Sequence, residues 1–234
     1  METIVSLKNV KKNYSNGEVI VHALQGIDMT IKKGEFIAMA GPSGSGKTTL
    51  LNLIGALDKP SSGQVEVNGQ NIEDLSTSQQ SKLRRDHIGF VFQSYNLIPV
   101  LSAFENTEYI LMLQGVGIKE RREKAMEILK QVGLLGMEDR RPNQLSGGQQ
   151  QRVAIARAIA SQPALVLADE PTANLDSKTA EDLLDLMQKL HKEKNITFLF
   201  STHDMTVMKR SEKLMWLHDG KITYKGSPNA FEMP

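Results

Sequence analysis

The sequence has no cysteine among its 234 residues, so neither a disulfide nor a thiolate metal site can form. That absence suits a reducing compartment. Charge of one sign is scarce too: 28 basic and 27 acidic side chains leave a formal net charge of +1. The basic domain or stripe that usually marks a nucleic-acid binder is therefore missing, and no nucleic-acid partner is expected. Long apolar runs are also lacking. Phe36 to Ala40, Ala164 to Ala168 and Ile196 to Phe200 are of buried-strand length, far short of the roughly 18 residues that span a bilayer. The start, Met1-Glu2-Thr3-Ile4-Val5, lacks the basic and apolar segments of a signal peptide. Work at a membrane would need another component as anchor.

What is present is an ordinary globular composition, with 40% hydrophobic and 24% charged residues. The first third is β-rich: Ile4 to Val10 and Ile27 to Ile31 alternate loosely, and Asn68-Gly69 suits a two-residue hairpin turn between Gln64–Val67 and Gln70–Ile72. Phe36 to Ala40 is a short strand, followed by a glycine-rich loop and a helical run from Thr48 to Leu57. Lys119 to Val132 carries Ala125, Ile128, Leu129 and Val132 at helical spacing, with Gly133 as its stop. From Pro142 onward helices and strands alternate, which implies parallel strands with crossover helices, and a closing hairpin turns at Asp219-Gly220. The expected architecture is a single α/β domain over 1–234. It combines a parallel-sheet core, an N-terminal antiparallel β layer and a helical insertion at approximately 94–145. The charged clusters Arg84-Arg85-Asp86 and Lys119 to Lys124 read as solvated faces.

Gly41-Pro42-Ser43-Gly44-Ser45-Gly46-Lys47-Thr48, followed by Thr49, matches G-x-x-x-x-G-K-[ST]. A strand before it and a helix after it supply the context that a chance Gly/Ser turn lacks. Glycines let successive N–H groups curl around phosphate oxygens, and the helix adds its positive dipole end. Lys47 is placed to reach the β- and γ-phosphates of ATP, and the Thr48 hydroxyl to ligate Mg²⁺. Leu165 to Ala168 is an apolar strand that ends in Asp169-Glu170. Alternation along a strand would aim these two acids in opposite directions, one at the metal and one at an attacking water. Gln93 and His203 each follow a strand, Ile88 to Phe92 and Ile196 to Ser201, where ligands of open α/β sheets collect.

Leu145-Ser146-Gly147-Gly148-Gln149 is a second glycine-rich helix start, with Ser146 as its N-cap. One ATP does not need two such sites from one chain. With the phosphate loop, the Asp169-Glu170 strand and His203, this pentapeptide resembles the nucleotide-binding subunit of ATP-binding-cassette (ABC) transporters over nearly the whole chain. The resemblance implies a P-loop fold and a head-to-tail homodimer with two ATP molecules at its interface. It also implies an integral membrane subunit as partner and a peripheral place on the cytoplasmic face of the membrane, the chain being soluble alone. By the same resemblance Tyr14 stacks on adenine, Gln93 touches magnesium, and Ser146, Gly148 and Gln149 close on the ATP of the opposite subunit. Asp176, in Ala173-Asn174-Leu175-Asp176, lies in the loop that crosses between the two sites, and His203 contacts the γ-phosphate. Glu170, His203, Lys47 and Gln93 are the implied catalytic set, and Thr48, Gln93 and Asp169 the implied metal set.

Leu57 to Gly63, Ile88 to Gln93, Asn96 to Pro99 and Leu167 to Thr172 resemble the lipoprotein-releasing and macrolide-export type. The stretch Tyr95 to Leu101 is the expected docking place of a membrane partner. Three other uses of the phosphate loop compete: a soluble ABC ATPase acting on ribosomes or DNA, a small-molecule kinase, and a regulator that binds ATP without cleaving it. A single cassette with a short insertion disfavours the first. The second has no use for Leu145 to Gln149, and Glu170 with His203 argues against the third.

Overall fold

The computed structural model describes residues 2–17 and 19–233. Strands β1 (Thr3–Asn16) and β2 (Val19–Lys32) form a long antiparallel hairpin. Sequence periodicity found only its buried half, where Val5, Leu7, Val10, Ile27, Met29 and Ile31 enter the core. Toward the tip Tyr14, Val19, Ile20 and Val21 are exposed, so nothing there alternates. The chain then runs through β3 (Phe36–Ala40), α1 (Lys47–Ile54), β4 (Ser62–Val67) and β5 (Gln70–Asn71). Helix α1 ends before the expected Leu57. Ala56 turns left-handed (φ 51°), and the Leu57 and Asp58 N–H groups both donate to the Asn52 carbonyl.

Helix α2 (Thr77–His87) has no apolar period and was not foreseen; Leu83 is its one buried side chain. What starts it is local: the Ser76 hydroxyl accepts from the Gln79 N–H while the Gln79 side chain accepts from the Ser76 N–H. Arg84, expected on a solvated face, instead donates to the Ala56 carbonyl at 2.6 Å and ties α2 to the end of α1.

Strand β6 (Ile88–Phe92) leads into α3 (Ala103–Leu113), α4 (Ile118–Gln131) and α5 (Gly147–Ala160). Helix α5 packs on α3 and α4 at one side and on β6 at the other, so it joins the helical layer to the sheet. Next come β7 (Leu165–Asp169), α6 (Ser177–Lys194), β8 (Thr197–Thr202), α7 (Met205–Arg210), β9 (Lys213–His218) and β10 (Lys221–Gly226).

These strands make two sheets. One is antiparallel, in the order β2-β1-β4-β5; the other runs β10-β9-β3-β8-β7-β6 and is parallel except for β10. Strand β3 is buried on both faces, which explains its unbroken apolar run. Helix α1 packs Leu50, Leu51, Leu53 and Ile54 into the apolar layer between the sheets. The opposite face of the parallel sheet is covered by α5 and α6, around Phe36, Phe198 and Phe200.

The link from β6 to α3 is held by one buried side chain. Asn106 donates to the Ile98, Leu101 and Ser102 carbonyls and accepts from the Ile98 N–H at 2.9 Å. Replacing it takes the partner from the Ile98 N–H and the Leu101 carbonyl, at about 1–3 kcal/mol for a buried unsatisfied group, while the Ile98 and Ser102 carbonyls keep the Leu101 and Asn106 N–H groups. Asn106→Ala is therefore expected to lose about 2–3 kcal/mol of stability in denaturant titration. Amide exchange in the same variant should rise at Ile98 to Ser102 before it rises in the sheet.

Candidate active site

Register brings the site together. Ala40 of β3 lies level with Thr202 of β8, Asp169 of β7 with Ser201, and Phe92 of β6 with Asp169. The next residues, Gly41, His203, Glu170 and Gln93, therefore leave the sheet along a single edge. Gln93, Glu170 and His203 border a cleft of ≈ 1000 Å³ lined also by Tyr14, Ser43, Gly44, Gly46, Lys47, Thr48, Thr49 and Asp169.

The phosphate loop crosses this edge with its backbone packed hard against neighbours. A Cβ on Gly41 would stand 2.0 Å from the Leu217 carbonyl oxygen, and one on Gly46, whose φ is 102°, 2.5 Å from the Ala23 carbonyl oxygen. The turn between β9 and β10 closes the far side: the Gly220 N–H donates to the Ser45 carbonyl and the Gln25 N–H to the Gly220 carbonyl. Ser45 is buried, and its hydroxyl has no partner among the described residues. The Lys47 ammonium donates to the Gly41 and Pro42 carbonyls at 2.7 and 2.9 Å. Burial pulls its pKa below the ordinary lysine value, against the opposing pull of Glu170 and Asp169.

Thr48 Oγ1 lies 3.5 Å from Asp169 Oδ2. Among the described residues no group of three or more His, Asp or Glu could form a metal cage. A hydroxyl and a single carboxylate beside a phosphate loop instead fit Mg²⁺, which takes few protein oxygens and shares the substrate's phosphates.

Asp169 and Glu170 do not diverge as alternation along the strand predicts. Both line the same cleft, because Glu170 lies past the strand end with φ 46°, a left-handed backbone costly for a long side chain. Its N–H donates to the Ser201 carbonyl, and the turn aims its carboxylate sideways. Oε1 lies 2.7 Å from His203 Nδ1, and Oε2 accepts from the Thr202 hydroxyl at 3.3 Å. The pairing places the proton of His203 on Nδ1 and leaves Nε2 to face outward chemistry.

Ser146, Gly148, Gln149 and Asp176 do not border this cleft. Ser146 and Gln149 form a reciprocal cap on α5. A Cβ on Gly148 would stand 2.4 Å from Thr179 Cγ2, so this glycine also lets α5 and α6 approach. Asp176 caps α6, and hydrogen bonds from Thr179 hold its carboxyl below the usual range. Ser146 and Asp176 are exposed.

Four contributors carried no binding signal, although Asp219-Gly220 marked a turn. His22, Gln25, Asp219 and Gly220 line the cleft only because β2 and the last hairpin fold over the loop. Arg157 signalled itself weakly, as the single charge in the apolar run Val153 to Ala160. It donates to the Tyr95 and Asn96 carbonyls, both in left-handed residues, and so ties the chain after Gln93 to α5.

A phosphate loop between strand and helix, with acids ending the parallel strand one place beyond β8, defines a P-loop ATPase. Comparison with known proteins narrows the class. The family model described as ABC transporter matches residues 24–173. The ABC transporter ATP-binding protein MJ0796 of Methanocaldococcus jannaschii is 48% identical, over 98% of this chain and 99% of its own. Its solved dimer, in a post-hydrolysis state bound to ADP and Pi, superposes with a TM-score of 0.89 at 47% identity, covering 97% of this chain and 100% of that one. The lipoprotein-releasing system ATP-binding protein LolD of Legionella pneumophila is 43% identical over 94% of this chain and 97% of its own. The macrolide export ATP-binding/permease protein MacB of Hyphomonas neptunium is 45% identical over 94% of this chain and 34% of its own.

The chain belongs to the ABC transporter ATP-binding family. It is an ATPase whose hydrolysis of magnesium-ATP is coupled to transport. Lys47→Ala is expected to weaken ATP binding at least about tenfold, the scale of one lost charge-assisted hydrogen bond. Equilibrium titration of the purified chain measures it, and unchanged affinity would contradict the role of the loop.

Proposed function

We propose that this chain is one half of an ATP-driven clamp that powers a membrane transporter of the lipoprotein-release or macrolide-export type. The observation that carries this reading is a division within one chain. The phosphate loop, Thr48, Asp169, Glu170 and His203 share a cleft, whereas the capped start of α5 stands apart from it with Ser146 exposed. A second copy, turned head to tail, brings its Ser146, Gly148 and Gln149 to the γ-phosphate of ATP held by the first. The ADP-bound dimer of the relative MJ0796 supports this arrangement.

In that complex Lys47 and the loop N–H groups hold the β- and γ-phosphates, and Tyr14 stacks on the adenine. Thr48, Asp169 and Gln93 would hold Mg²⁺, which would neutralise charge on the phosphate oxygens. Water attacks the γ-phosphorus in line as the bond to the ADP oxygen breaks, and Glu170 takes the water's proton through its free carboxylate lone pairs. His203, oriented by Glu170, faces the transferring group through Nε2, and the partner copy's Ser146 and helix start donate toward it. Loss of the γ-phosphate removes the bridge between the copies and favours opening.

A peripheral position on the cytoplasmic face of the membrane follows from this role. No helix among the described residues is long and apolar enough to cross a membrane. The docking place for the membrane part is a groove of ≈ 400 Å³ between the end of α1, α2, β6 and α3. Leu57, Tyr109 and Leu113 are exposed along it beside Arg84 and Arg85. Within the expected stretch Tyr95 to Leu101, Leu97 packs on the core and the Ile98 N–H is bound to Asn106, while Asn96, which also lines the groove, Pro99 and Val100 are exposed.

Glu170→Gln is expected to keep ATP binding, lower turnover by about 10²–10⁴ and accumulate an ATP-bound dimer in size-exclusion chromatography. Substantial steady-state hydrolysis by this variant would remove Glu170 from its role. Ser146→Arg should bind ATP as a monomer and fail to dimerise in the Glu170→Gln background; an ATP-dependent dimer would refute the composite site. Binding to RNA or DNA at physiological salt, without recovery of a membrane protein from solubilised membranes, would favour the soluble alternative.

A further inference from the structure

Tyr14 is an exposed aromatic near the tip of a hairpin, where packing cannot fix its ring. It is held nonetheless. Its hydroxyl donates to Asp58 Oδ2 at 3.1 Å, and the Lys12 ammonium stands over its ring, 5.0 Å from the centroid. The same ammonium donates to Asp58 Oδ1 and to the Lys59 carbonyl, both at 2.7 Å. Both carboxylate oxygens are therefore engaged in holding one aromatic and the cation beside it. Burial alone would raise the Asp58 pKa, but the bonds from Lys12, the Lys59 N–H and Tyr14 outweigh it and hold the carboxyl below its usual range.

Asp58 belongs to neither hairpin strand. Its N–H donates to the Asn52 carbonyl at the end of α1, the helix that starts at Lys47. The Ser61 hydroxyl three residues on accepts from the Asn13 N–H, and the Ser61 N–H donates to the Lys11 carbonyl. One short segment thus joins the helix beneath the phosphates to the strand that carries the aromatic. Lys12 guards one face of the ring, which leaves the other for a planar ligand in the cleft that Tyr14 lines.

We propose that Asp58 is a positioning residue for the nucleotide base, clamping the Tyr14 hydroxyl directly and the ring through Lys12. This rests on the reading of Tyr14 as the adenine platform. Pre-organising an exposed side chain strengthens binding by removing ordering cost at the moment of association.

Paired titrations of the purified chain with ADP and with inorganic tripolyphosphate, which lacks a base, test it. Tyr14→Ala should weaken ADP about tenfold, the scale of one base–aromatic stack, and spare tripolyphosphate. Asp58→Ala should weaken ADP about three- to fivefold, again sparing tripolyphosphate, and in ATPase assays should raise KM with little change in kcat. Tyr14→Phe should weaken ADP in the parent and add nothing in Asp58→Ala, because both remove the same bond. Equal weakening of both ligands by Asp58→Ala would make it a merely structural residue and overturn the proposal. So would unchanged ADP affinity in Asp58→Ala alongside weakened ADP in Tyr14→Ala. Unchanged ADP affinity in Tyr14→Ala would instead refute the platform itself, and the role of Asp58 with it.

Discussion

Four parallel strands, β3, β8, β7 and β6, finish at one level, locked by backbone pairing that sets Ala40 against Thr202 and Phe92 against Asp169. Side chains on the residues just beyond cannot be moved independently of that register. A slip of one residue in β7 would carry Asp169 away from Thr48 and turn its neighbour to the other face. The aromatic and aliphatic layers on both faces of the sheet hold the register in place, and with it the spacing of the strand-end groups that line the cleft.

The register also explains the local departures from ideal backbone. Glu170 sits in a left-handed conformation because a strand continued straight would aim its carboxylate away from the cleft its neighbour lines. Tyr95 and Asn96, also left-handed, are held by Arg157 from the helix whose first turn carries the exposed cap at Ser146. The segment after Gln93 is thus bonded to the helix whose start the proposed dimer turns toward a second nucleotide. Motion of α5 and motion of the Gln93 segment are mechanically joined.

Local signals went far in this chain. The phosphate loop was legible because glycine spacing, a lysine and a hydroxyl leave little other use for that pattern between a strand and a helix. Asp169, Glu170 and His203 were legible as residues at strand ends, and the cap at Ser146 as a helix start. Helix α2 was missed because its surface is polar nearly all round, and its Ser76–Gln79 cap was the one available signal. The outer half of the first hairpin was missed for a similar reason: exposed on both faces, it shows no alternation.

The sequence by itself determined the chemistry, since phosphate, magnesium and water each demand particular groups at short spacing, and short spacing survives in a linear string. It also determined the family, because the order of those groups is specific. The tertiary structure decided which groups share a cleft and which do not. Asp169 and Glu170 point into one space because of a backbone turn that no residue type dictates. Gln25, Asp219 and Gly220 reach the loop through contacts more than 150 positions apart in the chain, as does the 219–220 turn that closes over Ser45. Asp58 meets Tyr14 across 44 residues. Such pairings are set by how sheets and helices stack, a property of the whole core and not of any window of sequence.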